Sequence, residues 1–212
     1  MIKHHLTEDL LMAYSAGALS EAFSLAVATH ISLCDECRAA AESYDAVGGA
    51  VMVSTDASPV SDSCLSNTLA AIRDADVKAP TPRLKDAVLP SPLAEYVGGG
   101  LDKIKWKSAG MGVKQAVLAT NDDAVARLLY IPAGTAVPDH GHGGLELTCV
   151  LQGAFRDEDM RFARGDIEVA TEEVDHTPIA DISEDCICLA VTDAPLKFKG
   201  WLPRLAQPFL GI

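Results

Sequence analysis

Two stretches of the chain carry side chains whose types and spacing could do chemistry. The first is His140-Gly141-His142-Gly143-Gly144-Leu145-Glu146. Side chains on a β-strand alternate faces with a period of two, so His140, His142 and Glu146 would point the same way. Two imidazoles and a carboxylate supply most of a small coordination shell, and His176, on a later strand, offers a fourth ligand. The bland alternative is a pair of histidines in a Gly-rich loop with no metal between them. The second stretch is His30-Ile31-Ser32-Leu33-Cys34-Asp35-Glu36-Cys37. On a helix His30 and Cys34 share a face, and a Cys-x-x-Cys knuckle turns two thiolates toward one point, as zinc sites do. Three ligands leave such a site one short, and either His4 or His5 can complete it. A thioredoxin-like redox pair would follow a strand in a βαβ setting, which is absent here.

These residues need elements to hold them. Thr7 can cap a helix whose first turn carries Glu8 and Asp9, which suits the positive end of its dipole. Gly17 and Ser20 break the chain, and Ser20 can cap a second helix through Phe23, Leu25, Val27 and His30. A third starts near Asp35 and runs to about Val53, with Tyr44, Val47 and Val51 at helical spacing. A fourth, roughly Ser61 to Asp76, places Leu65, Leu69 and Ile72 on one stripe that either packs onto the bundle or docks a partner. Four short helices make a bundle that buries little core, so a bound structural zinc would contribute substantially to its folding.

The second half reads as strands. Apolar or β-branched runs at 115–118, 125–131, 147–151, 167–169 and 186–191 are separated by Gly, Pro and Asp clusters, which fits a β-barrel or sandwich. The order Gly134, five residues, His140-x-His142, three residues, Glu146, six residues, Gly153 resembles the first cupin motif at every position. A second cupin motif is partly kept: Gly165-Asp166 and His176 stand in register, Thr171 and Glu173 replace its Pro and Gly, and no Asn follows the histidine. That resemblance implies a barrel and a metal; by itself it does not imply an enzyme. Cys186 and Cys188 sit two apart on one strand, so their sulfurs point the same way, either inward near the metal or simply into the core. Their Cα atoms would be roughly 6.5 Å apart, near the upper edge of disulfide geometry. Sulfenic acid formation or coupling to the metal shell is therefore easier for a redox or sensing role than a bond between them. Cys64 and Cys149 have no visible partner and receive no role.

The N-terminal segment also carries a resemblance. His30-x-x-x-Cys34-x-x-Cys37 with an upstream histidine is similar to the signature of the zinc-binding anti-sigma factors. From His4-His5 through LSEAFSLAVATHISLCDECR to the final Gln207-Pro208-Phe209-Leu210-Gly211-Ile212, the chain resembles the ChrR type, which joins that domain to a C-terminal cupin. By that likeness His5 is the upstream ligand and His4 is not. It implies a regulatory protein, not an enzyme, with structural zinc on His5, His30, Cys34 and Cys37. The second divalent metal, zinc, would sit on His140, His142, Glu146 and His176. The implied partner is an extracytoplasmic-function sigma factor, held by a domain wedged between its two domains and released under photooxidative stress, singlet oxygen in particular. The alternative is a dioxygenase-like cupin enzyme fronted by a zinc-stabilised interaction module, since three histidines and a glutamate also hold Fe, Mn, Ni or Cu.

Composition bounds these readings. A net charge of -13 disfavours direct nucleic-acid binding and with it a zinc-finger DNA binder. Residues 1–76 hold 3 basic against 11 acidic side chains, and the remainder 14 against 19, so the helical module suits a basic partner or is simply well solvated. No apolar run reaches membrane-spanning length and no secretory signal opens the chain, so no membrane partner and a cytoplasmic location are expected. Six cysteines then read as reduced thiols or ligands. The expected organisation is a zinc-bound helical bundle at 1–76, a Pro-rich exposed tether at 77–92 with Pro80, Pro82, Pro90 and Pro92, and a cupin-like domain at 93–212.

Overall fold

The computed structural model describes residues 1–75, 86–121, 123–157, 160–172 and 175–198. The chain opens with helices α1 (Glu8–Ser15), α2 (Glu21–Ile31) and α3 (Asp35–Ser54). Thr7 caps α1 as its type suggests, its hydroxyl accepting the Leu10 N–H at 3.4 Å. α2 is buried nearly all round, through Ala22, Phe23, Leu25, Ala26, Val27, Thr29 and His30. A helix with apolar residues on every side must be covered on every side. α1 and α3 take one side of it, and the strands described below take the other.

Helix α4 (Cys64–Asp74) is shorter than the expected 61–76, and Asp76 lies outside the described residues. It buries none of its residues, so its stripe does not pack onto the bundle. Leu65 is 71% and Ile72 60% exposed, and on α3 Val51, Met52 and Val53 are exposed as well. Residues 77–85 of the expected tether fall outside the described residues. The part at 86–92 is not an exposed tether. The Asp86 carboxylate accepts the N–H groups of Val88 and Leu89, both at 2.8 Å, and Leu89 is fully buried. Pro90 then leads into α5 (Ser91–Val97), which packs against α2 and which the apolar periodicity was too short to reveal.

A short 3-10 turn precedes twelve strands: β1 (Lys107–Gly110), β2 (Val113–Val117), β3 (Val125–Ile131), β4 (His140–Gly141), β5 (Glu146–Gln152), β6 (Ala154–Asp157), β7 (Met160–Ala163), β8 (Ile167–Ala170), β9 (Asp175–His176), β10 (Ile179–Ala180), β11 (Cys186–Thr192) and β12 (Lys197–Phe198). They form a six-stranded sheet in the order β1-β2-β3-β11-β5-β8 and two three-stranded sheets, β10-β6-β7 and β12-β4-β9. Among the described residues every strand pairing is antiparallel. At the β5–β6 corner Gly153 takes φ +67, and a Cβ there would come 2.6 Å from the Asp185 carbonyl oxygen. The central strands β5 and β11 of the large sheet are buried on both faces. Val150, Phe155, Phe162, Cys186 and Cys188 fill the barrel interior. Leu128, Leu147, Cys149, Leu189 and Val191, on the other face, share one core with α2 and α5. That explains why β5 and β11 read as continuous apolar runs instead of alternating ones. The fold is thus a helical N-terminal part and a C-terminal cupin domain of antiparallel sheets, joined by a shared core.

Candidate metal centres

The first centre gathers four residues from three places. His30 lies in the last turn of α2, Cys34 is the N-cap of α3 and Cys37 is in its first turn. His5 comes from the extended segment before α1. One ligand atom from each, all four within 4.8 Å of one another, makes a group that could hold a metal. His5 Nδ1 is 3.3 Å from Cys34 Sγ and 3.6 Å from Cys37 Sγ. Usual zinc–sulfur and zinc–nitrogen bond lengths in a tetrahedron give an edge of about 3.5 Å, so this spacing suits zinc. His30 adds a sharper test of fit. Its Nδ1 faces the Gly165 carbonyl oxygen at 2.9 Å, which leaves Nε2 buried without a hydrogen-bond partner. Burial lowers the His30 pKa to about 4, against the opposing pull of that carbonyl, so its ring is a neutral ligand at pH 7. Burial pushes the Cys37 thiol up to about 11, so a thiolate there needs a cation beside it. His4, the neighbour that spacing could not exclude, lies elsewhere: its ring stands 4.2 Å from that of Phe162.

The second centre lies in the barrel. His140 on β4 is directly opposite His176 on β9, and their Nε2 atoms are 3.2 Å apart. His142 follows in the bend before β5, with Nε2 3.5 Å from the Glu146 carboxylate. All four side chains are buried, and the three histidines form a group that could hold a metal. Their partners fix them. His140 Nδ1 lies 2.8 Å from the Pro138 carbonyl oxygen, and Thr148 donates its hydroxyl to Glu146 at 2.9 Å. His176 Nδ1 faces Asp157 at 3.1 Å and Glu168 at 3.4 Å, an arrangement that orients an imidazole for a metal at its other nitrogen. Sequence reasoning missed both carboxylates. A lone acid inside Ile167-Glu168-Val169-Ala170 was a usable signal for one of them; Asp157, at a strand end, gave none.

Burial disfavours the charged form of His176, but the hydrogen bond and charge of Glu168 and the charge of Asp157 outweigh it and raise its pKa to about 9. A cation arriving at Nε2 at neutral pH must therefore displace a proton. The apparent affinity of this site is expected to rise about tenfold per pH unit up to about pH 9 and to level off above it. Chelator competition across that range checks this; an affinity flat in pH between about 6 and 8 would contradict it.

Beside this centre runs a cavity of about 310 Å³ lined by His140, Glu146 and His176 together with Leu129, Phe155 and Cys188. Cys186 and Cys188 do face inward, with their sulfurs 3.4 Å apart. The hydrogen bond it shares with Cys186, together with burial, holds the Cys188 thiol well above its ordinary pKa, so it is poorly nucleophilic as it stands. Cys149 belongs to the core on the opposite face of the sheet, and Cys64 is exposed.

Comparison with known proteins agrees with both halves. A family profile described as the ChrR cupin-like domain matches residues 97–196. Over all 212 residues the chain is 57% identical to the anti-sigma-E factor ChrR of Cereibacter sphaeroides, covering 100% of this chain and 99% of the relative. The crystal structure of Rhodobacter sphaeroides SigE in complex with the anti-sigma ChrR superposes with a TM-score of 0.81 at 54% identity, over 91% of this chain and 100% of that one. The chain belongs to the ChrR family of anti-sigma factors.

Proposed function

We propose that this protein binds and inhibits an extracytoplasmic-function sigma factor through its helical module. Zinc on His5, His30, Cys34 and Cys37 holds that module together. A second divalent ion, zinc, sits on His140, His142, Glu146 and His176, and the cupin domain uses it to release the sigma factor under singlet oxygen or other photooxidative stress. Bound zinc at the first centre supplies a crosslink between α2, α3 and the N-terminal segment and no reaction chemistry. The proposed division of the chain is 1–76, 77–92 and 93–212, with α2 of the first packed against α5, β5 and β11. The proposed location is the cytoplasm, where a sigma factor meets polymerase. Among the described residues no helix is long and apolar enough to cross a membrane. The cupin-enzyme alternative is not favoured, because the full-length relative is a regulatory protein.

The observation that carries this reading is the apolar surface left open on α4 and on the C-terminal half of α3, the helix that Cys34 and Cys37 anchor. Val51, Met52, Leu65, Leu69 and Ile72 are all exposed on helices whose other faces are largely polar or acidic. An apolar face of this kind marks a docking surface, and the acidic surroundings suit a basic, polymerase-binding partner. Val51→Asp or Ile72→Glu is expected to weaken sigma-factor capture at least about thirtyfold, roughly 2 kcal/mol, since burying a new charge in an apolar contact is costly. Zinc content should stay at the parent level. Binding assays on the full chain check this, and parent-like capture by both variants would remove the assignment of this surface.

A further inference from the structure

The two centres are tied together by one strand. β8 lies at the edge of the six-stranded sheet. The turn leading into it presents Gly165 and Asp166 to the N-terminal module. The Gly165 carbonyl receives His30 Nδ1 at 2.9 Å. One oxygen of the buried Asp166 carboxylate accepts the backbone N–H groups of Lys3 at 2.6 Å and His4 at 3.1 Å, and the other accepts the Ala163 N–H at 2.8 Å. The Ile167 N–H then donates back to the His4 carbonyl at 3.3 Å, which fixes the segment that ends in His5. The fit is close: Gly165 has φ +90, and a Cβ on it would come 2.7 Å from Ile2. Two residues after Asp166, on β8 itself, the buried Glu168 meets His176 Nδ1. Two strand residues span only about 7 Å. A rotation of His176 that moves Glu168 is therefore felt at Asp166 and Gly165 without any long chain of intermediates.

We propose that β8 is the coupling element between the two centres: Gly165 and Asp166 position the ligands His30 and His5, Glu168 positions His176, and a change at the cupin centre reaches the helical module through this strand. The proposal rests on the function proposed above, in which the cupin centre governs release. It treats Asp166 and Glu168 as positioning residues, not as ligands. A buried carboxylate that receives several backbone N–H groups has one well-defined arrangement, so the contact transmits displacement instead of absorbing it.

The test uses the full chain in complex with its sigma factor and two independent cuts in the latch. Lys3→Pro removes one N–H donor without touching the cupin, and Asp166→Ala removes the acceptor. Lys3→Pro is expected to keep both metals and to capture the sigma factor, while Asp166→Ala, which frees the ligand segment altogether, should also hold zinc at the first centre more weakly. Their stress-induced release should slow at least about tenfold, within the usual range of coupling between sites. A spectroscopic readout separates coupling from mere structural support. The Nδ1–H resonance of His30 should shift when His142→Ala empties the cupin centre, and that shift should vanish in the Lys3→Pro background. Parent-like release by latch variants that retain both metals, or a His30 resonance indifferent to His142→Ala, overturns the coupling role of β8. If His142→Ala itself releases like the parent, it is the sensor reading that fails. If His142→Ala is locked while Lys3→Pro responds normally, only the strand proposal fails.

Discussion

Replacing Cys34 or Cys37 by Ala is expected to remove one zinc equivalent from the protein and abolish sigma-factor capture. The module these cysteines pin is thin. α4 buries nothing, and α3 buries only Cys37 and Ala41 along its length. Zinc in sites of this kind contributes about 10–16 kcal/mol of apparent folding free energy, comparable to or above the about 5–15 kcal/mol that holds an ordinary domain together. Without it, His30 Nε2 is a buried polar atom with no partner, and the α2–α3 turn loses its anchor. The cupin face of α2 stays packed, so the loss should be local: the apolar surface on α3 is no longer held in place while the barrel remains folded. Metal analysis, circular dichroism and a pull-down on each variant check the outcome. Tight capture by a zinc-free variant would contradict the structural role of this centre.

The second large effect belongs to the cupin centre and has the opposite character. His142→Ala or Glu146→Ala should remove the barrel metal and leave His5, His30, Cys34 and Cys37 in place. Capture should persist, since the proposed docking surface is on α3 and α4, away from the barrel. Release should fail: a sigma-dependent reporter that rises in the parent under singlet oxygen should stay near its unstressed level in both variants. A ligand or oxidant shifts an equilibrium only by its differential interaction with the two states, and without the centre that difference is lost. Variants that respond as the parent does would show that the sensor lies elsewhere.

Much of this was legible in the sequence because the chemistry sits in short, rigidly spaced runs. His30, Cys34 and Cys37 lie within eight residues, and the short turn between α2 and α3 brings them together. His140, His142 and Glu146 share parity, and although His142 lies in the bend between β4 and β5 all three side chains are buried at the barrel centre. The Thr7 cap and the starts of α1, α2 and α3 followed from local residue types, while Ser20 holds the N-cap position of α2 without a side-chain capping hydrogen bond. What stayed hidden was mostly non-local. The polar pair Asp157 and Glu168 meets His176 only through the pairing of distant strands. Spacing could not choose between His4 and His5; the choice depends on Asp166, more than a hundred residues away, drawing His4 toward the barrel. The tether reading at 86–92 failed because four prolines over sixteen residues outweighed Val88-Leu89, an apolar pair too short to show a period. The all-round apolarity of α2 was visible, and it meant that the two halves share a core.

The central claim is that this chain holds a sigma factor, and one measurement addresses it most directly. The full chain is co-expressed with each extracytoplasmic-function sigma factor of its own genome, captured by a tag and assayed for composition and metal. The account predicts a stoichiometric one-to-one complex with a single cognate sigma factor and two bound metal ions per chain. Capture of none of them, together with steady oxygen consumption by the metal-loaded chain on a small organic substrate, would contradict it.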